Sequence, residues 1–502
     1  MPEKIRKIII WSTVAIITIS TFFIVKGLNI ESDTALFPIL GRDIAGGNLF
    51  LGDWFGTEQP LNFLLLGVQS FWSFFIHNYF IANAISTVSI LGLLAVTIFF
   101  SIKGLSAGKS PNIFSILILM IIIVTMQTDL LIQSIPHLTT ALCATFFAYI
   151  YYIKRESNWA KWAIIAMIIF WTDDLLYLYL LFPLLAENII YYFKNKKWDN
   201  TTDWLMYGML GYMFRKLIIA GRGIEHITYD SGNIFINLST IPDRLLFVLK
   251  RFLELFSFSW DKINPTNAVA FIFFGGMLLL AVYSKYKLSN KVIKETSYDN
   301  RLLTFMFLGL IVVFAFVLLQ TSSKWQSIKY MPFIFLNIII FLGYHLNEKF
   351  DDKKLGIILI CTFIASSVIK PMFYNPWPSE SIKERSEVAN TIRVENLHNG
   401  FTTQTLYNTM KVAMNDSRFA PIFEDYGTKK MAPVEFEANK NDFYDKIFDF
   451  VLAVKDPQPD DSLTDENIRI HFGNPKRTID VGKMRLYIYD NITDKIEKPV
   501  RY

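Results

Sequence analysis

Three stretches of the sequence place proton-moving or anion-holding residues beside long apolar runs. Asp33 stands just after the first such run, in Glu31-Ser32-Asp33-Thr34. A carboxylate at a membrane surface is partly desolvated, and its pKa rises toward the range useful for a general base. The same residue also suits the N-cap of a helix starting near Ala35. The second stretch is Thr172-Asp173-Asp174, followed by Tyr177 and Tyr179. Two adjacent carboxylates between apolar runs must be hydrated, paired or bound to a cation. They could ligate a divalent metal through oxygen, or simply form a solvated turn capped by Asp173. The third is a cationic set, Arg222, Lys324 and Lys329, with Glu225 and His226 close by in sequence. Lys329 opens Lys329-Tyr330-Met331-Pro332 at the head of another apolar run. There it either snorkels to the surface or binds a phosphate as a point charge.

Other chemistries find less support. No P-loop, dinucleotide fingerprint or nucleophile elbow occurs in a workable context. No His-x-x-x-His spacing occurs, and zinc is not expected. Cys143 and Cys361 are the only cysteines, both inside apolar runs, which excludes a disulfide framework. Trp54, Phe55, Trp325 and Tyr330 suit either a sugar platform or an interfacial aromatic belt.

These residues need elements that hold them at one depth. The chain has 502 residues, 52% hydrophobic and 19% charged, against about 25% charged in soluble domains. The deficit lies in residues 1–371, where apolar runs alternate with short basic islands. Residues 372–502 have ordinary soluble composition. A crossing helix needs about 20 apolar residues. The runs predict spans at 8–27, 80–102, 112–127, 134–153, 162–172, 174–193, 203–220, 266–284, 301–320, 328–346 and 355–371. Residues 61–76, after Pro60, are expected to form a re-entrant or surface-lying helix.

With about eleven crossings and an inside N-terminus, the basic islands all face the cytoplasm, as the positive-inside rule asks. They are Lys4–Lys7, Lys103 with Lys109, Lys154 to Lys161, Lys194 to Lys197, Lys285 to Lys294, and Lys349 to Lys354. Outer loops 28–79 and 221–265 and the tail then lie outside, with Asp33, Asp173, Asp174 and Lys329 on one face. The net charge of +5 is dispersed among the islands, so nucleic acid is not an expected partner. Richness in Lys, Ile and Asn fits a low-GC bacterium.

Taken together, the pattern resembles the GT-C superfamily of membrane glycosyltransferases, which includes protein O-mannosyltransferases and aminoarabinose transferases. The resemblance rests on Asp33, on Gly41-Arg42-Asp43-Ile44-Ala45-Gly46-Gly47-Asn48 and on Gln59-Pro60-Leu61. It rests also on Asp173-Asp174 and on Lys329-Tyr330-Met331-Pro332, where the family often has Arg at the Lys329 position. It implies a helical polytopic membrane domain with a large first outer loop, followed by a small extracytoplasmic α/β domain. It implies inverting transfer of a sugar from a polyprenyl-phosphate donor to an extracytoplasmic acceptor: cell-wall polymer, glycolipid or protein. Asp33 would be the base. Asp174 or Asp173 would orient the acceptor or a metal. Lys329, with Arg222 as the weaker candidate, would hold the donor phosphate, and Tyr330 and Asp43 complete the binding set. A divalent cation is a candidate cofactor that nothing in the sequence requires.

The tail leaves the membrane through Pro371, Pro376 and Pro378. A helix is expected at about 379–396, with further helical patterning at 402–415 and 440–447. Strands are expected near 448–454, 468–472 and 484–489. The main competing function is a transporter or flippase. Against it stand the odd span count, the lack of an internal repeat and ionisable residues that mostly avoid span centres. The third alternative is a scaffold whose outer domain binds partners.

Overall fold

The computed structural model describes residues 2–27, 32–47, 63–106, 108–126, 135–154, 175–197, 241–254, 298–319, 331–369, 380–397, 399–402, 422–425, 449–456 and 464–489, with isolated positions between them. The chain divides into two units. One comprises Met1–Val25, Pro60–Val68 and Ala84–Tyr374, the other Lys26–Gln59, Gln69–Asn83 and Asn375–Tyr502.

The helices follow the apolar runs. They are α1 (Glu3–Gly27), α2 (Ser32–Ala45), α3 (Phe63–Phe75), α4 (Tyr79–Leu105), α5 (Ile113–Met126) and α6 (Ile135–Lys154). A π-helical turn, Tyr177–Leu181, leads into α7 (Phe182–Asn195). Then come α8 (Ile241–Glu254), α9 (Tyr298–Leu319), α10 (Pro332–Lys349) and α11 (Asp352–Ile369). Short polar residues start several of them, because their side chains accept otherwise unpaired backbone N–H groups. Asn78 Oδ1 accepts from Ile81, Asn112 Oδ1 from Phe114 and Asp351 Oδ1 from Lys354.

Among the described residues, three helices are long and apolar enough to cross a bilayer: Glu3–Val25, Tyr79–Leu105 and Arg301–Leu319. The segment expected as a surface or re-entrant helix is α3, of 13 residues. It rises about 20 Å, short of the roughly 30 Å hydrocarbon core. Expected spans 162–172, 203–220 and 266–284 lie outside the described residues but for isolated positions.

Within the first unit, α10 is buried nearly all round, as a helix apolar on every face should be. It packs against α5, α6 and α9. One end of the bundle gathers three basic islands. Arg6 Nε lies 3.3 Å from Asp352 Oδ2, and its guanidinium sits over the Phe114 ring at 5.9 Å. The Asn112 side chain also reaches Asp352, while its backbone N–H donates to Asn347 Oδ1 at 2.8 Å.

Gly309 sets the approach of α9 to α10. A Cβ there would overlap the ring of Phe333, which is fully buried. Gly309→Ala should therefore destabilise by about 1–3 kcal/mol, the usual cost of overpacking. Gly92, on α4, has open space around its Cβ position, and Gly92→Ala should be neutral or slightly stabilising. Thermal unfolding in detergent compares the two.

In the second unit, the described residues between 380 and 489 form an α/β fold. Helix α12 (Glu380–Val394) precedes a five-stranded sheet, β1 (Asn399–Thr402), β2 (Ile422–Asp425), β3 (Phe450–Val454), β4 (Arg477–Val481) and β5 (Met484–Ile488), in the order β2-β1-β3-β5-β4. β3 pairs parallel with β1 and antiparallel with β5. It is central and covered on both faces, which explains its unbroken apolar sequence. Phe450 and Leu452 join Val388 and Ile392 of α12, and Val451 and Ala453 join Ile468 and Tyr487.

One expectation fails here. Residues 468–472 are not a strand but the end of α13 (Asp465–Phe472). The alternation Ile-Arg-Ile-His-Phe suggested period two. Asp465 and Glu466 in the first turn favour a helix start through its dipole, and Ile468 with Phe472, four apart, both pack into the core. On this sheet Arg485, then Lys455, hold the Asp480 carboxyl well below the usual carboxylate range by hydrogen bonding.

Candidate functional site

The segment after α1 opens with α2, which carries Asp33 in its first turn and Arg42 and Asp43 in its last. The helix starts at Ser32, three residues earlier than the cap pattern suggested. Its buried stripe, Ala35 and Ile39, packs on Tyr79 and Phe80. Gly41 then meets α3: a Cβ there would lie 2.6 Å from Gln69 Cβ and 2.9 Å from the Gln69 carbonyl carbon. Only glycine allows that approach. Gln69 is itself 1% exposed and donates from Nε2 to Asn83 Oδ1 at 2.8 Å. The Arg42 guanidinium sits over the Tyr79 ring at 4.6 Å, a cation–π contact. The Gly-Arg-Asp motif thus uses its glycine and arginine to dock α2, and Asp43 is half-buried beside them.

In the first unit, Asp173, Asp174, Arg222, Lys329 and Tyr330 lie outside the described residues. The described chain resumes directly after two of these motifs. Leu175 and Leu176 are helical, and the π-helical turn comes next. Such turns insert an extra residue per turn and are frequent at functional sites. Tyr179, in that turn, is fully buried and stacks on Phe333 at 5.0 Å with planes 7° apart. Phe333 is the second residue of α10, just past Met331 and Pro332. It meets Phe305 of α9 edge-on at 6.4 Å. Asp174 is five residues before Tyr179 in sequence, and Lys329 four before Phe333. The segments next to the acidic pair and the basic motif are therefore locked together.

Sequence reasoning missed a buried ion pair. Arg301 of α9 holds Glu187 of α7 bidentately, Nε to Oε1 at 2.7 Å and Nη2 to Oε2 at 2.8 Å. Arg301 Nη2 also donates to Asn188 Oδ1 at 3.0 Å, and Tyr152 Oη to Glu187 Oε2 at 3.1 Å. The guanidinium lies over the Tyr191 ring at 4.2 Å. The two charged side chains are 11% and 4% exposed. Glu187 lies eight residues before Asn195, the end of its helix, or about 12 Å along the axis. The signal was present as Glu187-Asn188 inside an otherwise apolar run. It is an exception within the expectation that ionisable residues mostly avoid span centres, and the pair accounts for it: the Glu187 carboxylate is held by the Arg301 guanidinium. Among the described residues, no group of three or more His, Cys, Asp or Glu is placed to hold a metal ion.

No protein-family model matches the chain, and no curated protein matches it in sequence. Among solved structures it is similar to ArnT from Cupriavidus metallidurans bound to undecaprenyl phosphate. The TM-score is 0.55 and the identity 8%, with 97% of this chain and 99% of the other covered. The match therefore includes the tail as well as the helices. Over almost its whole length, this chain has the fold of that protein.

Proposed function

We propose that the protein is a membrane glycosyltransferase that moves a sugar from a polyprenyl-phosphate donor to a hydroxyl on an extracytoplasmic acceptor. The observation that carries this is the fold likeness, which spans nearly all of both chains, to a protein whose structure holds undecaprenyl phosphate. The acceptor oxygen attacks the anomeric carbon, its proton passes to Asp33, and the carbon–oxygen bond to the lipid phosphate breaks. The bond's electrons leave with the phosphate, and the configuration inverts.

The departing phosphate needs positive charge, which is the role of Lys329, with Arg222 as the weaker candidate and Tyr330 and Asp43 in the binding set. Asp174 or Asp173 orients the acceptor or binds a divalent cation. A lipid phosphate is already a good leaving group, so no nucleotide site is needed. About eleven crossings put these residues and the 372–502 tail on the extracytoplasmic side of a bacterial cell membrane. That arrangement agrees with the gathering of three basic islands at one end of the bundle.

The test is transfer itself. Membranes holding the protein, given a labelled polyprenyl-phosphate sugar, should move label from lipid to acceptor. Label that stays on the lipid with every acceptor class tried overturns the proposal. A C-terminal reporter fusion that signals a cytoplasmic location overturns the sidedness.

A further inference from the structure

The buried ion pair belongs to a closed ring of contacts. Arg301 grips Glu187 and Asn188 on α7. Glu187 accepts from Tyr152 of α6, and the Tyr152 ring lies 6.0 Å from Phe305. Phe305 meets Phe333 of α10, and Phe333 stacks on Tyr179. Tyr179 sits in the π-helical turn that runs directly into α7, eight residues before Glu187. The circuit thus returns to its start through the backbone, joining α6, α7, α9 and α10.

A π-helical turn is a poor structure to leave unsupported. It holds one residue more than the α-helix it interrupts, and relaxing it would rotate everything on one side of it. Here it is clamped from both directions. Arg301 fixes α7 below it, and the Tyr179–Phe333 stack fixes the turn itself against the first turn of α10. Both attachments are specific in shape. The guanidinium uses its planar fork on two carboxylate oxygens and an amide while lying on Tyr191, which a lysine cannot reproduce.

We infer that this ring, through Arg301 and Phe333, is a positioning device for the lipid-phosphate donor: it holds the π-helical turn in register with the N-terminal end of α10. This rests on the proposed glycosyltransferase function, because α10 directly follows the Lys329 motif. Arg301 and Phe333 are positioning residues that act through α7 and the π-helical turn and touch no substrate.

The experiment measures binding of undecaprenyl phosphate to the purified full-length protein, alongside the donor KM and kcat. Arg301→Lys and Phe333→Leu should each weaken lipid binding and raise the donor KM about three- to tenfold, a usual size for coupling through packed residues. Turnover at saturating donor should hold. The double variant should be no worse than the worse single, since both break one ring. Tyr152→Phe, a milder change, should shift binding in the same direction. Lipid affinity equal to the parent's in the folded variants overturns the inference, as does a fall in kcat with unchanged affinity. A parent that binds the lipid but transfers no sugar sinks the proposed function, and the variants' lipid affinity then tests the ring as a device for lipid-phosphate binding alone. A parent that does not bind the lipid sinks both.

Discussion

Asp33→Asn should lower sugar transfer about a hundred- to ten-thousand-fold, the usual contribution of a positioned general base. An amide has nearly the shape of the carboxylate but cannot accept the acceptor's proton. Donor binding does not need that proton transfer, so the affinity for undecaprenyl phosphate should stay near the parent's. Asp33→Glu keeps the base but moves it by one methylene, and should retain part of the rate. Because Asp33 lies in the first turn of α2, Asn also keeps the helix start intact, so the loss reads chemistry and not unfolding. Transfer is followed with a labelled polyprenyl-phosphate sugar in membranes, with protein amount matched by blot. An Asn variant that transfers like the parent removes Asp33 as the base. A loss matched by Asp33→Glu, with weakened lipid binding in both, would make the residue's role structural.

How far the sequence could reveal these features depended on the physics behind each. Long apolar runs specify helices almost alone, since hydrocarbon or a buried core forces the backbone to bond within the segment. That is why the helices Glu3–Gly27, Tyr79–Leu105 and Tyr298–Leu319 fall close to their expected ranges. The first-loop motif was legible in position but not in purpose. Gly41 needs a partner helix at contact distance before its missing side chain means anything, and Arg42 needs the Tyr79 ring. The Arg301–Glu187 pair was hidden for the same reason. Its partners are 114 residues apart, and a single arginine near a span's end reads as one that snorkels. In the tail, Ile468 to Phe472 satisfied the strand period and the helix spacing at once. Only the core they pack into decided between them. The four-residue β1 and β2 offered too short a pattern to see.

The second large effect concerns stability. Glu187→Ala should destabilise the protein by about 3–5 kcal/mol, because it removes the carboxylate that the buried Arg301 guanidinium holds bidentately. A cost of that size requires both groups to be shielded from solvent, and their side chains are 4% and 11% exposed. Removing both charges should act differently. With Glu187→Leu and Arg301→Met together no unpaired charge remains, and exchanging a buried pair for apolar groups of similar volume is often neutral or stabilising. Recovery here should be incomplete. The Tyr152 hydroxyl loses its acceptor and Asn188 loses its donor, and each orphaned group costs about 1–3 kcal/mol. Adding Tyr152→Phe should therefore bring the midpoint closer to the parent's. Unfolding midpoints of the four proteins, measured in one detergent, decide it. If Glu187→Ala and the double variant fall equally, the pair's electrostatics do not set the stability, and lost packing does. If the double variant recovers stability but not lipid affinity, the pair is retained for the geometry it imposes on α7 and the π-helical turn.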